Sequence, residues 1–255
     1  MLVEPRDAAT VLLIRDQPEL HVFMLQRNLR SAFAAGAHVF PGGAVDGHDD
    51  ALGDPCLRAA DAPVLTRFAV AAIREAFEEA GVLLARDTRS DAPVDAAVLP
   101  DARRALHAGA DFAAVLGDLH AVPDTAALVP MARFITPTGA PRRFDTWFFV
   151  AAAPAGHAYR HDEQETVASR WIRPSAALDA HRSGTFPLVE PTVLTLAAIA
   201  GFRHADRLLS ACRAAWADQP GPVTMRDAQR GWVLALPPDG APGSSVTPAR
   251  RRTSA

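Results

Sequence analysis

Three carboxylates and one guanidinium sit close together in Arg74-Glu75-Ala76-Phe77-Glu78-Glu79-Ala80-Gly81-Val82. At roughly 100° per residue, Ala69, Val70, Ala72, Ile73, Ala76, Phe77 and Ala80 fall on one arc of a helix starting near Phe68. Glu75, Glu78 and Glu79 fall on the opposite arc, with Arg74 at its edge. The apolar arc is predicted to pack on a core and the acidic arc to face a cleft or solvent. Gly81 suits the left-handed residue that ends such a helix. Three carboxylates within about one turn repel one another, and a hard divalent cation with oxygen ligands removes that repulsion. An ordinary charged helix face is the other explanation of the cluster. Upstream, Phe40-Pro41-Gly42-Gly43-Ala44-Val45-Asp46 follows an apolar run and reads as a strand ending in a tight turn. Paired glycines there let backbone atoms approach a metal or a phosphate.

These residues must be held by a larger frame. Residues 8–14 and 20–26 read as two strands of a hairpin around the turn Asp16-Gln17-Pro18-Glu19. Residues 128–135 and 144–152 read as two more strands, the second bulky enough for a central, doubly covered position. Residues 168–173 and 231–236 add further strands. Residues 99–120 have helical spacing, with Gly109 as a point where they can divide in two. Residues 174–181, 191–201 and 206–217 read as helices. From Pro237 onward, Pro, Gly, Ser and Arg dominate, so that tail is expected to be disordered.

The Gly-Gly turn and the acidic helix together resemble the box of the Nudix hydrolases: Gly, five residues, Glu, seven residues, Arg-Glu-apolar-x-Glu-Glu-x-Gly-apolar. Gly43 fits the first Gly, and Arg74 through Val82 fit the second half. The first Glu falls on Asp49. Asp49 and Arg74 are separated by 24 residues where the pattern has seven, an insertion containing Gly53, Pro55 and Pro63. The same split box occurs in a branch related to peroxisomal coenzyme A diphosphatases. That branch is also similar at Ile135-Thr136-Pro137 and at Pro141-Arg142-Arg143-Phe144-Asp145-Thr146-Trp147-Phe148-Phe149. The likeness spans about residue 8 to at least 200.

The resemblance implies an α/β fold, the Nudix α/β/α sandwich with a mixed sheet, here carrying an inserted helical cap and a C-terminal helical extension. The hydrolase domain would cover residues 1–175, with a loop insertion at about 50–65 and a helical insertion at about 93–125. C-terminal helices would occupy 176–236 and the tail 237–255. It also implies Mg²⁺ or Mn²⁺ held by Glu75, Glu78, Glu79 and the carbonyl of Gly43, with Arg74 orienting the carboxylates and the role of Asp49 open. The general base would come from the acidic loop His161-Asp162-Glu163-Gln164-Glu165: Glu165 first, Glu163 second, with Glu75 also open. Before Phe40-Pro41-Gly42-Gly43, enzymes of this family that cleave coenzyme A place an Arg, a second Arg, then Gly. Arg27 and Gly36 match, Ala32 holds the second Arg position, and Arg30 is two residues away. Arg27, Arg30, Arg142 and Arg143 are therefore candidate substrate-binding residues.

The implied reaction is hydrolysis of a pyrophosphate bond, with coenzyme A or an acyl-coenzyme A as the favoured substrate. NADH, ADP-ribose and diadenosine polyphosphates are alternatives, as is a non-catalytic nucleotide sensor, which would not need all three glutamates. Net charge −3 and a pI near 6.3 exclude a mainly nucleic-acid-binding role. Cys56 and Cys212 show no metal or redox spacing, which fits a reducing compartment. No signal peptide, transmembrane stretch or peroxisomal address is read in the chain, so a cytoplasmic enzyme without membrane partners is expected. A homodimer is left open.

Overall fold

The computed structural model describes residues 3–30, 34–50, 52, 63–217, 231–234, 236 and 246–248. In chain order these form β1 (Arg6–Asp16), β2 (Leu20–Arg27), β3 (His38–Val39), β4 (Gly42–Ala44), α1 (Pro63–Ala80), β5 (Ala85–Asp87), α2 (Leu99–His107), α3 (Phe112–Asp118), β6 (Ala121–Pro123), β7 (Val129–Ile135), β8 (Phe144–Ala152), β9 (Thr166–Ile172), α4 (Pro174–Arg182), α5 (Glu190–Ile199), α6 (Ala205–Ala217), β10 (Trp232–Leu234) and β11 (Val246–Pro248).

Strand β1 is the spine of a mixed sheet. On one side β8 runs parallel to it, from Arg6 opposite Phe144 to Ile14 opposite Ala152. On the other side its first half pairs with β4 and its end pairs with β2, both antiparallel. A strand enclosed in this way should be a continuous apolar run, and Val11 through Ile14 are fully buried. Beyond β2 lie β3 and β9; beyond β8 the order is β7, β10, β11. The β2–β9 register shifts between Gln26 and Arg27, an irregularity of the kind that re-aims side chains beside functional sites.

Helix α1 packs against β1 and β4. Its core face is as expected: Ala72, Ile73, Ala76, Phe77 and Ala80 have no exposed surface. It begins at Pro63, inside the segment expected to be loop; Pro at the first helical position fits an N-terminus, where its missing N–H is no loss. The helical insertion is two helices, α2 and α3, divided at Gly109 with φ +98°. It is clasped at its base by β5 and β6, a two-stranded sheet too short to leave a period in the sequence. Part of the tail expected to be disordered instead forms β11, antiparallel to β10. Ala32, most of the box insertion including Gly53, Pro55 and Cys56, and the rest of the tail lie outside the described residues.

Candidate active site

The site is assembled where β4 crosses the carboxylate arc of α1. Gly43 lies directly against Glu75: a Cβ at position 43 would fall 2.4 Å from Glu75 Oε1. Only glycine leaves the carboxylate that space. Next to it, the Gly42 amide donates to Glu79 Oε2 at 3.0 Å. The acidic arc is thus not a solvent face. Glu79 is 4% exposed, because the glycine strand can pack where side chains would hold it off.

Arg74 ties this arc together. Its Nε donates to Asp49 Oδ1 at 3.1 Å and its Nη2 to Asp49 Oδ2 at 3.1 Å. Nη2 also donates to Ala44 O at 2.8 Å, and Nη1 to Glu75 Oε1 at 2.9 Å and Glu78 Oε1 at 3.3 Å. Asp49, 1% exposed, also accepts from the Asp46 amide at 2.7 Å. The shorter carboxylate and the long insertion have not displaced it from Arg74. A planar guanidinium suits this double contact. Burial disfavours the Arg74 charge, but the Asp49 bonds and the fields of Glu75 and Glu78 outweigh it and hold its pKa above the ordinary value.

Burial pushes the Glu75 carboxyl up to about 7, against the pull of Arg74. Burial pushes Glu79 well above the usual carboxylate range, and the charge of Glu75 adds to the effect. Two buried carboxylates with poor solvation are costly as anions.

The arc opens into a cavity of about 370 Å³. Glu75, Glu78, Glu79, Asp46 and Asp49 form its floor, with Arg74; Leu106, His107, Asp111 and Phe112 of the helical insertion form one wall; Asp162, Gln164 and Glu165 form another. Among the described residues, eight carboxylates and one guanidinium line this space. The Asp162 wall is a turn held from within. Asp162 accepts from the amides of Gln164, Glu165 and Thr166 and from the Thr166 hydroxyl. Burial opposes its charge, yet these bonds keep its pKa below the ordinary value. Asp followed by such a turn was a legible signal, but the sequence reading passed over it.

The expected residues divide. Glu165 lines the cavity and its carboxylate is 3.6 Å from Arg27 Nη2. Glu163, with φ +64°, is not among the lining residues. Arg30 sits in an exposed turn. Arg142 and Arg143, expected at a phosphate, do not line the cavity. The Arg143 guanidinium donates to Thr136 O at 3.0 Å and Val3 O at 2.7 Å, which ties the β7–β8 turn to the N-terminal segment. Asp145, next to them in sequence, is paired with Arg133 in a buried contact. The two-residue offset of Arg133 and Asp145 on paired strands was not distinguishable in sequence from other charge pairs.

Among the described residues, no group of three or more His, Cys, Asp or Glu side chains is placed as a metal ion would draw them, and the Arg74 guanidinium contacts both Glu75 and Glu78. The donor chemistry nevertheless fits a hard cation: Glu75, Glu78 and Glu79 offer only oxygens, Glu79 buried and Glu75 mostly so, beside a glycine whose lack of a side chain keeps the approach open.

Residues 58–199 match the family profile described as the NUDT19 Nudix domain. The chain belongs to the Nudix hydrolase family and is a pyrophosphohydrolase of that family. It is 29% identical over 303 residues to the acyl-coenzyme A diphosphatase NUDT19 of Gallus gallus, covering 92% of this chain and 79% of that protein. It is 30% identical to the putative nudix hydrolase 7 of Caenorhabditis elegans over 79% of this chain and 62% of that protein. The crystal structure of a Nudix hydrolase from Alicyclobacillus acidocaldarius superposes with a TM-score of 0.73 at 31% identity, covering 82% of this chain and 96% of that one.

Proposed function

We propose that this chain hydrolyses the pyrophosphate bond of coenzyme A or an acyl-coenzyme A with the help of a divalent cation, giving phosphopantetheine or its acyl form and 3′,5′-ADP. The observation that carries the reading is the charge of the cavity. Among the described residues the lining is acidic even with Glu75 and Glu79 held partly protonated, with one guanidinium against it, and this repels a diphosphate, so a polyanionic substrate is expected to enter with cations. The coenzyme A assignment is supported by the acyl-coenzyme A diphosphatase named among the relatives and by Arg27 and Gly36 ahead of the glycine turn.

Glu75, Glu78, Glu79 and the Gly43 carbonyl would hold Mg²⁺ or Mn²⁺. Bound there, the cation supplies charge neutralisation on the phosphates and a lowered pKa for the attacking water. Arg74 keeps two of these carboxylates turned toward the cavity and does not meet substrate. Glu165, exposed at the rim, is the group best able to accept the water proton, since it can move while its backbone is held by Asp162. Arg27, beside Glu165, is placed for a substrate phosphate, with Arg30 nearby in sequence.

The test is a panel of coenzyme A, an acyl-coenzyme A, dephospho-coenzyme A, NADH, ADP-ribose and a diadenosine polyphosphate, each with Mg²⁺ or Mn²⁺, with products identified by mass spectrometry. Coenzyme A or its acyl form is expected to give the highest kcat/KM. Dephospho-coenzyme A is expected to be about 10-fold poorer, the worth of one charged hydrogen bond. A much higher kcat/KM for NADH or a dinucleoside polyphosphate would overturn the substrate assignment.

A further inference from the structure

The last turn of α1 leaves carbonyls without helical donors, that of Glu78 among them. The Gly81 amide donates to Phe77 O and the Val82 amide to Ala76 O, so the carbonyl of Glu78 is passed over. Such an orphan needs a partner from elsewhere. It receives three. Arg103 Nε donates to Glu78 O at 3.0 Å and Arg103 Nη2 at 2.7 Å, and His107 Nε2 donates to it at 3.0 Å. Both side chains belong to α2, in the helical insertion.

Arg103 reaches further. Its Nη1 donates to Arg160 O at 3.0 Å, while the Arg160 amide donates to Ala80 O at 3.0 Å. Arg160 stands two residues before Asp162, the residue that gathers the turn carrying Glu165. One guanidinium therefore bonds both the backbone of a carboxylate-bearing helix residue and the base of the loop on the opposite wall. Gly81 makes room for it: a Cβ there would lie 3.1 Å from Arg103 Nη1, and the residue holds φ +68°. The box glycine thus serves as the seat of this arginine as well as the end of the helix.

We propose that Arg103 is a positioning residue that sets the separation between the carboxylates of α1 and Glu165. The inserted helices thereby take part in the reaction geometry instead of only packing beside it. The proposal rests on the reading above that those two carboxylate groups perform the chemistry.

The test compares Arg103→Ala, Arg103→Lys and Arg104→Ala with the unaltered full chain. Lys carries its donors on one nitrogen and lacks the separated Nε, Nη1 and Nη2 that meet the two carbonyls, so it is expected to keep one bond and lose the other. Displacement of reacting groups by about an ångström costs up to roughly 10²-fold in rate. Arg103→Ala is therefore expected to lower kcat by about 10- to 100-fold, with Arg103→Lys intermediate and KM within about 3-fold. Arg104 lies next on the same helix and pairs at the surface with Asp101, so Arg104→Ala is expected to keep kcat within about 2-fold.

Hydrogen exchange on the metal-free protein supplies a reading independent of turnover. Amides of residues 161–166 are expected to exchange faster in Arg103→Lys, with those of β1 unchanged. Should Arg103→Ala fail to fold, Arg103→Lys decides alone. Unchanged kcat and unchanged exchange in the lysine variant overturn the proposal, as does an equal loss in Arg104→Ala. If the unaltered protein cleaves none of the diphosphates, the functional reading falls, while the exchange data still report whether Arg103 tethers the loop.

Discussion

Two of the arginine–carboxylate pairs at this cavity, Asp49 with Arg74 and Glu165 with Arg27, differ in kind. Asp49 is 1% exposed, and Arg74 grips it through two bonds of 3.1 Å. The Glu165 side chain is 65% exposed and stands 3.6 Å from Arg27. The first pair is scaffold: burial makes it costly to disturb, and it orients the arginine that in turn holds Glu75 and Glu78. The second is loose, screened by water and free to break. A catalyst needs both, a fixed frame for the cation ligands and a mobile group for the proton.

The comparison can be broken at the buried end first. Asp49→Ala leaves the Arg74 charge without its main partner, so unfolding free energy is expected to fall by about 3–5 kcal/mol. Glu165→Ala should cost under about 1 kcal/mol, as an exposed pair does. Equal losses in denaturant melts of the two variants would erase the distinction. Next comes the ligand set. Glu78→Gln is expected to reduce hydrolysis by at least about 10²-fold and weaken Mn²⁺ binding; near-normal turnover would remove α1 from the mechanism. Glu165→Gln is expected to lower kcat by about 10- to 100-fold with KM and Mn²⁺ affinity little changed. If Glu163→Gln carries the loss instead, the base has been assigned to the wrong residue of the loop.

The smallest effect is read from pH. Glu75 titrates near 7 in the folded chain and Glu79 is raised well above its ordinary value of 4.5. Raised carboxyls give stability that is present below the unfolded value of about 4.5 and is lost as pH climbs through the folded one. The metal-free protein should therefore lose stability from Glu75 between about pH 4.5 and 7, and from Glu79 as pH rises above about 4.5, and a cation should restore it. The Mn²⁺-induced rise in Tm is expected to be larger at about pH 8 than at about pH 5. A Tm rise independent of pH would contradict burial of these carboxyls as cation ligands.

Much of the frame was readable along the chain. Strand β8 falls on residues 144–152 as the pattern of Trp147, Phe148 and Phe149 suggests, and α1 carries the acidic and apolar arcs in their expected positions. The C-terminal helices follow their apolar spacing closely. What was not readable depends on approach between distant segments. Periodicity gave Glu79 a solvent or cleft face; it lines the cavity, and the Gly42 amide that meets its carboxylate comes from a strand far away in the sequence. Nothing in the spacing of residues 99–120 singles out Arg103, because an orphan carbonyl at Glu78 is a property of how α1 ends. Arg142 and Arg143 do not line the cavity, and a strand mouth does not reveal in sequence which edge of the sheet it opens on.

The central claim is that the carboxylate arc of α1 is a cation site. The direct measurement is anomalous diffraction from crystals of the protein soaked in Mn²⁺. The account predicts a peak bounded by Glu75, Glu78, Glu79 and the Gly43 carbonyl, with the Arg74 guanidinium still bonded to Asp49. Full soaking with no peak at that arc, or a peak only elsewhere on the chain, would contradict it.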